Sequence, residues 1–365
     1  MTAIAEPDAG GVARFVERRR RRFLLIGAGL AAVCLASIVI ALATGAVGIA
    51  PQRTLDILVS ALFDRGALAR DRDALIVLDL RLPRVLLGLE VGAALAVSGA
   101  LMQGLFRNPL ADPGLIGVSS GAALAAAATI VLGDRLLVGA GDALPFVALP
   151  IGAFCGGLAT TLLIYAIATR AGQTSMATML LAGVALGAFA SAATSLLAYM
   201  SDDRQLRDLT FWSLGSLNGA SWSKASIVAA IVAPLLLAAP FLGRGLNALS
   251  LGDAEAFHLG IGVQRVKTAA IILVALAVGA SVAAAGVVGF IGVVAPHIVR
   301  LATGPDHRRL LPLAMLLGGA LLVTADTLAR ILAAPAELPL GVLTAAIGSP
   351  FFLWLLLRRD RSIWT

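Results

Sequence analysis

Glu90 and Asp326 each lie inside an apolar run long enough to cross a bilayer, a depth at which a carboxylate costs roughly 3 kcal/mol on insertion scales. Such residues are the usual means of coupling transport to a proton or ion. Asp326, in Thr324-Ala325-Asp326-Thr327-Leu328-Ala329-Arg330, stands one helical turn before Arg330, a spacing that predicts an i,i+4 ion pair. Glu90 has two readings: a polar group facing a pathway, or a partner for an arginine on a neighbouring helix. No histidine relay accompanies the two acids. A proton-coupled secondary transporter would need one of them as an essential carboxylate. An integral membrane enzyme would need a cluster of acids, metal ligands or a nucleophile, and no such cluster is found.

The elements that hold these residues are membrane helices. Hydrophobic residues form 59% of the 365-residue chain and charged residues 13%, against roughly 25% charged in a soluble domain. Mean hydropathy is +0.95. Apolar runs near residues 23–43, 84–105, 113–133, 145–169, 175–200, 225–243, 267–285, 286–301, 309–332 and 339–357 predict ten spans in one all-α membrane domain over 23–357. The basic stretch Arg18 to Arg22 precedes an apolar run too long for a signal-peptide core, so a retained first helix is expected. Residues 1–22 then form an N-terminal tail, disordered over 1–13, and 358–365 a C-terminal tail. The larger share of lysines and arginines, including the Arg14 to Arg22 cluster, falls on the side of both termini. That side is therefore expected to be cytoplasmic. The net charge of +7 is explained by this topology, and no basic stripe interleaved with aromatics points to nucleic acid. Cys34 and Cys155 sit in apolar runs and read as small hydrophobes.

Between the second and third spans, Leu101 to Gly121 contains an Asn108-Pro109 and Asp112-Pro113 break with Gly104, Gly114 and Gly117. Backbone of this kind is tolerated only at a membrane edge or beside a protein-lined cavity. Gly88, Gly92, Ala96, Gly99 and Gln103 in the second span, and Gly183 with Gly187 in the fifth, place small groups at helical spacing for close helix contact. There is no phosphate-binding Gly-x-x-x-x-Gly-Lys-Ser/Thr loop. The nearest approach, Gly262 through Lys267-Thr268, has Val266 where the loop needs glycine. The insert from Arg244 to Lys267 is polar, and from Asp253 it reads as a short helix with acids in its first turn and a stop at Gly260.

The break at Met102–Gly121 closely resembles the signature of membrane permease subunits of ABC importers for vitamin B12, iron siderophores and haem. Five further stretches look like motifs of that family in family order: Arg81-Leu82-Pro83-Arg84, Leu181 to Gly187, Phe211 to Ser216, Gly289 to Arg300, and Glu337 to Gly341. The resemblance implies a type II ABC importer permease: a homodimer of ten-helix subunits in the bacterial inner membrane, with a pathway on the two-fold axis. Two ATPase subunits would lie inside and a periplasmic substrate-binding protein outside. ATP would then bind the partner subunit, and this chain would carry no cofactor of its own.

Site residues follow from the same resemblance. Leu251, Gly252, Asp253, Ala254, Glu255, Ala256, Phe257, Leu259 and Gly260 match the coupling helices, here about 247–262, that dock on the ATPase. Arg81, Arg84 and Arg330 match periplasmic arginines that pair with acidic residues on the binding protein, a use suited to Arg's bidentate fork. Asn108 and Leu110 match a gate position. Met176 and Ala177 stand where the vitamin B12 permeases have small hydroxyl residues, a departure that points to another cargo. The wording of Met102 to Gly121 and Phe211 to Trp222 is most similar to haem permeases, so haem is the expected cargo, with a ferric siderophore as the alternative and cobalamin a lesser one. No haem ligand is expected in the chain: His258, His297 and His307 are placed on the cytoplasmic side.

Overall fold

The computed structural model describes residues 9–45, 47–63, 68, 70–136 and 144–357. Seven helices are long and apolar enough to span a membrane and three apolar helices are shorter, among the described residues. Together they follow the ten expected runs in order.

The first helix, α1 (Ala9–Ala43), continues upstream through the basic stretch. The expected tail is thus helical from residue 9, because nothing between Gly11 and Phe23 breaks the turn. Residues 1–8 and 358–365 lie outside the described residues. The loop expected between spans one and two instead folds as α2 (Pro51–Phe63) and α3 (Arg72–Leu75). Helix α3 is capped by Asp71, whose carboxylate accepts from the Asp73 and Ala74 amides. A π-turn, Ile76–Arg81, leads from α3 into α4 (Leu82–Leu105).

Helix α4 is the centre of the bundle and is buried along almost its whole length. It can be, because its small residues let neighbouring backbones approach. A Cβ on Gly92 would meet the Gly318 carbonyl oxygen at 2.3 Å. The small-residue face predicted for packing is used for packing, against α13 (His307–Leu332), α9 (Trp222–Leu249), α12 (Ile291–Thr303) and α11 (Val263–Ala285). A second group pairs α5 (Val118–Leu136) with α6 (Leu144–Ala168), and α7 (Met176–Met200) lies against both. Between α6 and α7 a two-rung antiparallel ribbon joins Thr169–Arg170 (β1) to Gln173–Thr174 (β2).

Helix α8 (Asp203–Leu214) was not expected from hydropathy; a reciprocal capping box between Asp202 and Gln205 starts it. The expected eighth span at 286–301 is shifted and shortened to α12, only 13 residues, or about 20 Å of helix. Residues 286–290 are unwound, and helix α11 ends at Gly286 with φ +69°. Its freed end is met by other irregular backbone, since Ser216 N donates to Ala285 O at 2.8 Å, and Gly215 beside it accepts from Leu340 N at 3.0 Å. Non-helical chain at this depth survives because protein satisfies it. Helix α14 (Leu340–Leu357) closes the described chain.

Large apolar side chains stay exposed along α1, α6 and α7, among them Leu25, Leu35, Leu162, Leu181 and Phe189. In a bilayer these faces meet lipid or another subunit rather than water.

Candidate functional site

Polar chemistry collects at the two opposite ends of α4. At its N-terminal end, Arg84 Nη2 donates to Asp326 Oδ1 at 2.9 Å and Nε to Oδ2 at 3.0 Å. The other side of the same guanidinium holds Glu337, with Nη1 to Oε1 at 3.0 Å and Nη2 to Oε2 at 2.8 Å. Two carboxylates thus share one bidentate fork. Arg84 and Asp326 are nearly dry, with side chains 14% and 5% exposed, while Glu337 is 34% exposed. Hydrogen bonding to Arg84 holds the Glu337 carboxyl below its ordinary value, against the opposing pull of partial burial. The predicted i,i+4 pair is present: Arg330 Nε lies 3.2 Å from Asp326 Oδ2.

Arg81 and Arg330 make structural contacts that sequence did not reveal. Arg81 is buried and donates to Leu42 O at 2.6 Å and to Val47 O. Arg330 Nη1 donates to Thr44 O at 3.1 Å. Both guanidiniums therefore cap the C-terminal carbonyls of α1, where cations are favoured by the unpaired C=O groups and the helix dipole. None of Arg81, Arg84 and Arg330 is free, and only Glu337 opens this cluster to solvent.

At the other end of α4 the break folds as two Asx turns. Asn108 Oδ1 accepts from Leu110 N at 2.9 Å, and Asp112 Oδ1 from Gly114 N at 2.7 Å. Pro113–Ile116 then makes one 3-10 turn before α5. Asn108 is exposed and Leu110 half-buried; Met176 packs against the main core and Ala177 is exposed. Ser175, beside them, uses its hydroxyl to cap α7 through Thr178 N at 3.2 Å.

The expected helix in the 253–260 insert is present as α10 (Asp253–His258). It is the one helix of the expected 247–262 segment, since Asn247 to Leu249 still belong to α9. Gly252, at φ +136°, makes the turn that launches it, and Gly260, at φ +77°, ends it. Ala256 is fully buried and fixes the helix to the bundle, leaving Ala254, Glu255, Leu251, Phe257 and Leu259 exposed. The last three are 64%, 70% and 63% exposed.

Asp253 is the junction of this end. One carboxylate oxygen pairs with Arg107, next to Asn108, and the other with Lys267 on α11. Lys267, only 6% exposed, also donates to Thr174 O at 3.2 Å. Thr174 is two residues before Met176. Arg107 and Lys267 were not singled out in the sequence, because their partners are distant in the chain.

Glu90 is half-buried on α4 and its Oε2 is buried with no hydrogen-bond partner. Among the described residues no arginine pairs with it. No group of three or more potential metal ligands occurs among the described residues.

Residues 33–358 match the FecCD transport family. The chain belongs to that family. Over 285 residues, 77% of this chain and 83% of the relative, it is 50% identical to the hemin transport system permease protein HmuU of Yersinia pestis. The vitamin B12 import system permease protein BtuC of Yersinia pestis is 40% identical over 342 residues, 94% of this chain and 95% of the relative. The cobalamin import system permease protein BtuC of Halobacterium salinarum is 44% identical over 286 residues, 78% and 73% of the two chains. A solved structure described as an inward-facing conformation of a metal-chelate type ABC transporter superposes with a TM-score of 0.76 at 32% identity. It covers 91% of this chain and 98% of that one. This FecCD chain is therefore an all-α, multi-pass permease subunit of the ABC importer type, a transport component rather than an enzyme.

Proposed function

We propose that this permease carries haem across the bacterial inner membrane as a homodimer, driven by two ATPase subunits at the α10 end and supplied by a periplasmic binding protein at the Arg84 end. Both termini are then cytoplasmic. The observation that carries the cargo is the 50% identity to a hemin permease, against 44% and 40% for the two cobalamin permeases.

The α10 end supports the ATPase contact. Leu251, Phe257 and Leu259 form an exposed apolar set around the buried Ala256, on and beside a helix too polar to lie in lipid, and an apolar groove on the ATPase would cover them. Movement of α10 has two routes inward from Asp253: through Arg107 to Asn108 and Leu110, and through Lys267 and Thr174 to Met176 and Ala177. These four are the gate in this reading, and Glu90 is the polar group facing the pathway. At the opposite end, a carboxylate of the binding protein would exchange with Glu337 for the fork of Arg84, while Arg81 and Arg330 hold the platform.

A second reading keeps the importer and changes the cargo to a ferric siderophore or cobalamin, favoured by the longer match to a vitamin B12 permease and by the metal-chelate transporter's similarity. Proteoliposomes containing the permease, its ATPase and the cognate binding protein separate these. Haemin uptake that requires internal ATP is expected. Uptake of a siderophore or cobalamin but not haemin overturns the cargo; haemin uptake without the ATPase, driven by a proton gradient, overturns the importer.

A further inference from the structure

We infer that the cleft between α1 and the α12–α13 turn is a binding site for the phosphate headgroup of an acidic membrane lipid. A cavity of about 520 Å³ opens there among Arg18, Arg19, Arg22 and Arg309, with residues 302–304 also in its lining. Among the described residues no carboxylate lines it, and Asp306, outside it, stands 3.8 Å from Arg309 Nε.

It adjoins a larger cleft of about 1020 Å³, with which it shares Arg19 and Leu301. Arg300 and His297 line that second cleft. His297 is 3% exposed with neither ring nitrogen hydrogen-bonded, and Arg300 Nη1 is buried without a partner. The one acid there, Asp306, already accepts from Asn247 Nδ2 at 2.7 Å and Arg308 N at 3.1 Å. A buried guanidinium N–H and an imidazole left unpaired are costly, and an anion drawn into the adjoining clefts would relieve that cost.

The rim tells a lipid from a free anion. Phe23 and Leu301 line the first cavity beside its arginines, and Leu24 and Leu25, immediately beyond, are 58% and 64% exposed. Helix α1 changes from basic to lipid-facing at this level. A phosphodiester among the arginines would lay its acyl chains over Phe23 and Leu301, whereas inorganic phosphate has no use for them. Arg309 is held in place: its guanidinium lies 5.8 Å from the Phe23 ring centroid and Nη1 donates to Arg19 O at 3.3 Å. Basic pockets between membrane helices recognise anionic headgroups in this way.

The helix itself provides the control. Arg18 and Arg22, four residues apart, share the face that lines the cavity, and Arg20 and Arg21 do not line it. The full chain, purified in non-ionic detergent, is titrated with phosphatidylglycerol, phosphatidylcholine or inorganic phosphate, and bound lipid is counted by native mass spectrometry. Wild type is expected to retain phosphatidylglycerol over phosphatidylcholine. The pair Arg18→Gln with Arg22→Gln should weaken that retention at least about tenfold, while Arg20→Gln with Arg21→Gln leaves it nearly unchanged. Equal loss from both pairs would reduce the effect to diffuse surface charge and overturn the site. Displacement of phosphatidylglycerol by millimolar inorganic phosphate would overturn the lipid assignment.

Discussion

Gly99 on α4 and Gly292 on α12 meet backbone to backbone: a Cβ on Gly99 would lie 1.8 Å from the Gly292 carbonyl oxygen. No rotamer relieves a clash with main chain, so Gly99→Ala must push α12 away from α4. Overpacking typically costs about 1–3 kcal/mol, and here it also disturbs Gln103, which accepts from Arg300 at 2.7 Å. Gly187 is the control, since its nearest neighbour is Ser120 Oγ at 3.8 Å. Thermal unfolding in detergent should place Gly99→Ala several degrees below wild type and Gly187→Ala close to it. Equal melting temperatures would mean that α12 is not seated on α4 as described.

Asp253→Asn tests the junction at the α10 end. Neutralisation removes the charge that Arg107 and Lys267 share, leaving the buried Lys267 ammonium with Thr174 O. Breaking a fully buried pair costs about 3–5 kcal/mol, and less is expected because Asp253 itself is half-exposed. The expected outcome is a chain that still folds and co-purifies with the ATPase but whose ATP hydrolysis no longer drives uptake. Wild-type uptake per ATP in this variant would remove Asp253 from the transmission route.

The Arg84–Glu337 pair gives a pH dependence. Glu337 titrates below its ordinary value near 4.5 in the folded chain. The unfolded chain therefore binds the proton first as pH falls, and the stabilisation, complete above about pH 5, is lost as pH drops through the folded value. Glu337→Gln should flatten this part of the melting-temperature profile between pH 6 and 3.5. A profile identical to wild type would show that the pair contributes nothing.

Hydropathy made the ten apolar helices legible because a span is a local property of about 20 consecutive residues. The same measure missed α2 and α8, which are amphipathic; Asp202 with Gln205 was the available signal for α8. Helix α12 was misplaced because Gly286 to Phe290 stays apolar while its backbone unwinds, and composition cannot see a φ of +69°. At the site, the Asp326–Arg330 pair was readable from i,i+4 spacing. Arg84 with Glu337 was not, since 253 residues separate them. Nor could spacing tell that Arg81 reaches back 39 residues to cap α1.

That double duty makes the three arginines separable. Arg81→Gln removes donors from the Leu42 and Val47 carbonyls, of which the bond to Leu42 is buried. An unpaired buried acceptor costs about 1–3 kcal/mol, so this variant should lose thermal stability whether or not the binding protein is present. Arg84→Gln leaves α1 capped and weakens the fork that a docking carboxylate would use. Binding-protein affinity measured at low salt should therefore fall more for Arg84→Gln than for Arg81→Gln, while both variants lose thermal stability, since Arg84→Gln leaves the dry Asp326 carboxylate with Arg330 alone. Glu337→Gln removes the internal competitor for Arg84 and should leave docking intact or tighten it. Weaker docking in Glu337→Gln together with unchanged docking in Arg84→Gln would mean that the binding protein brings cations to this surface, and would overturn the arginine-based dock.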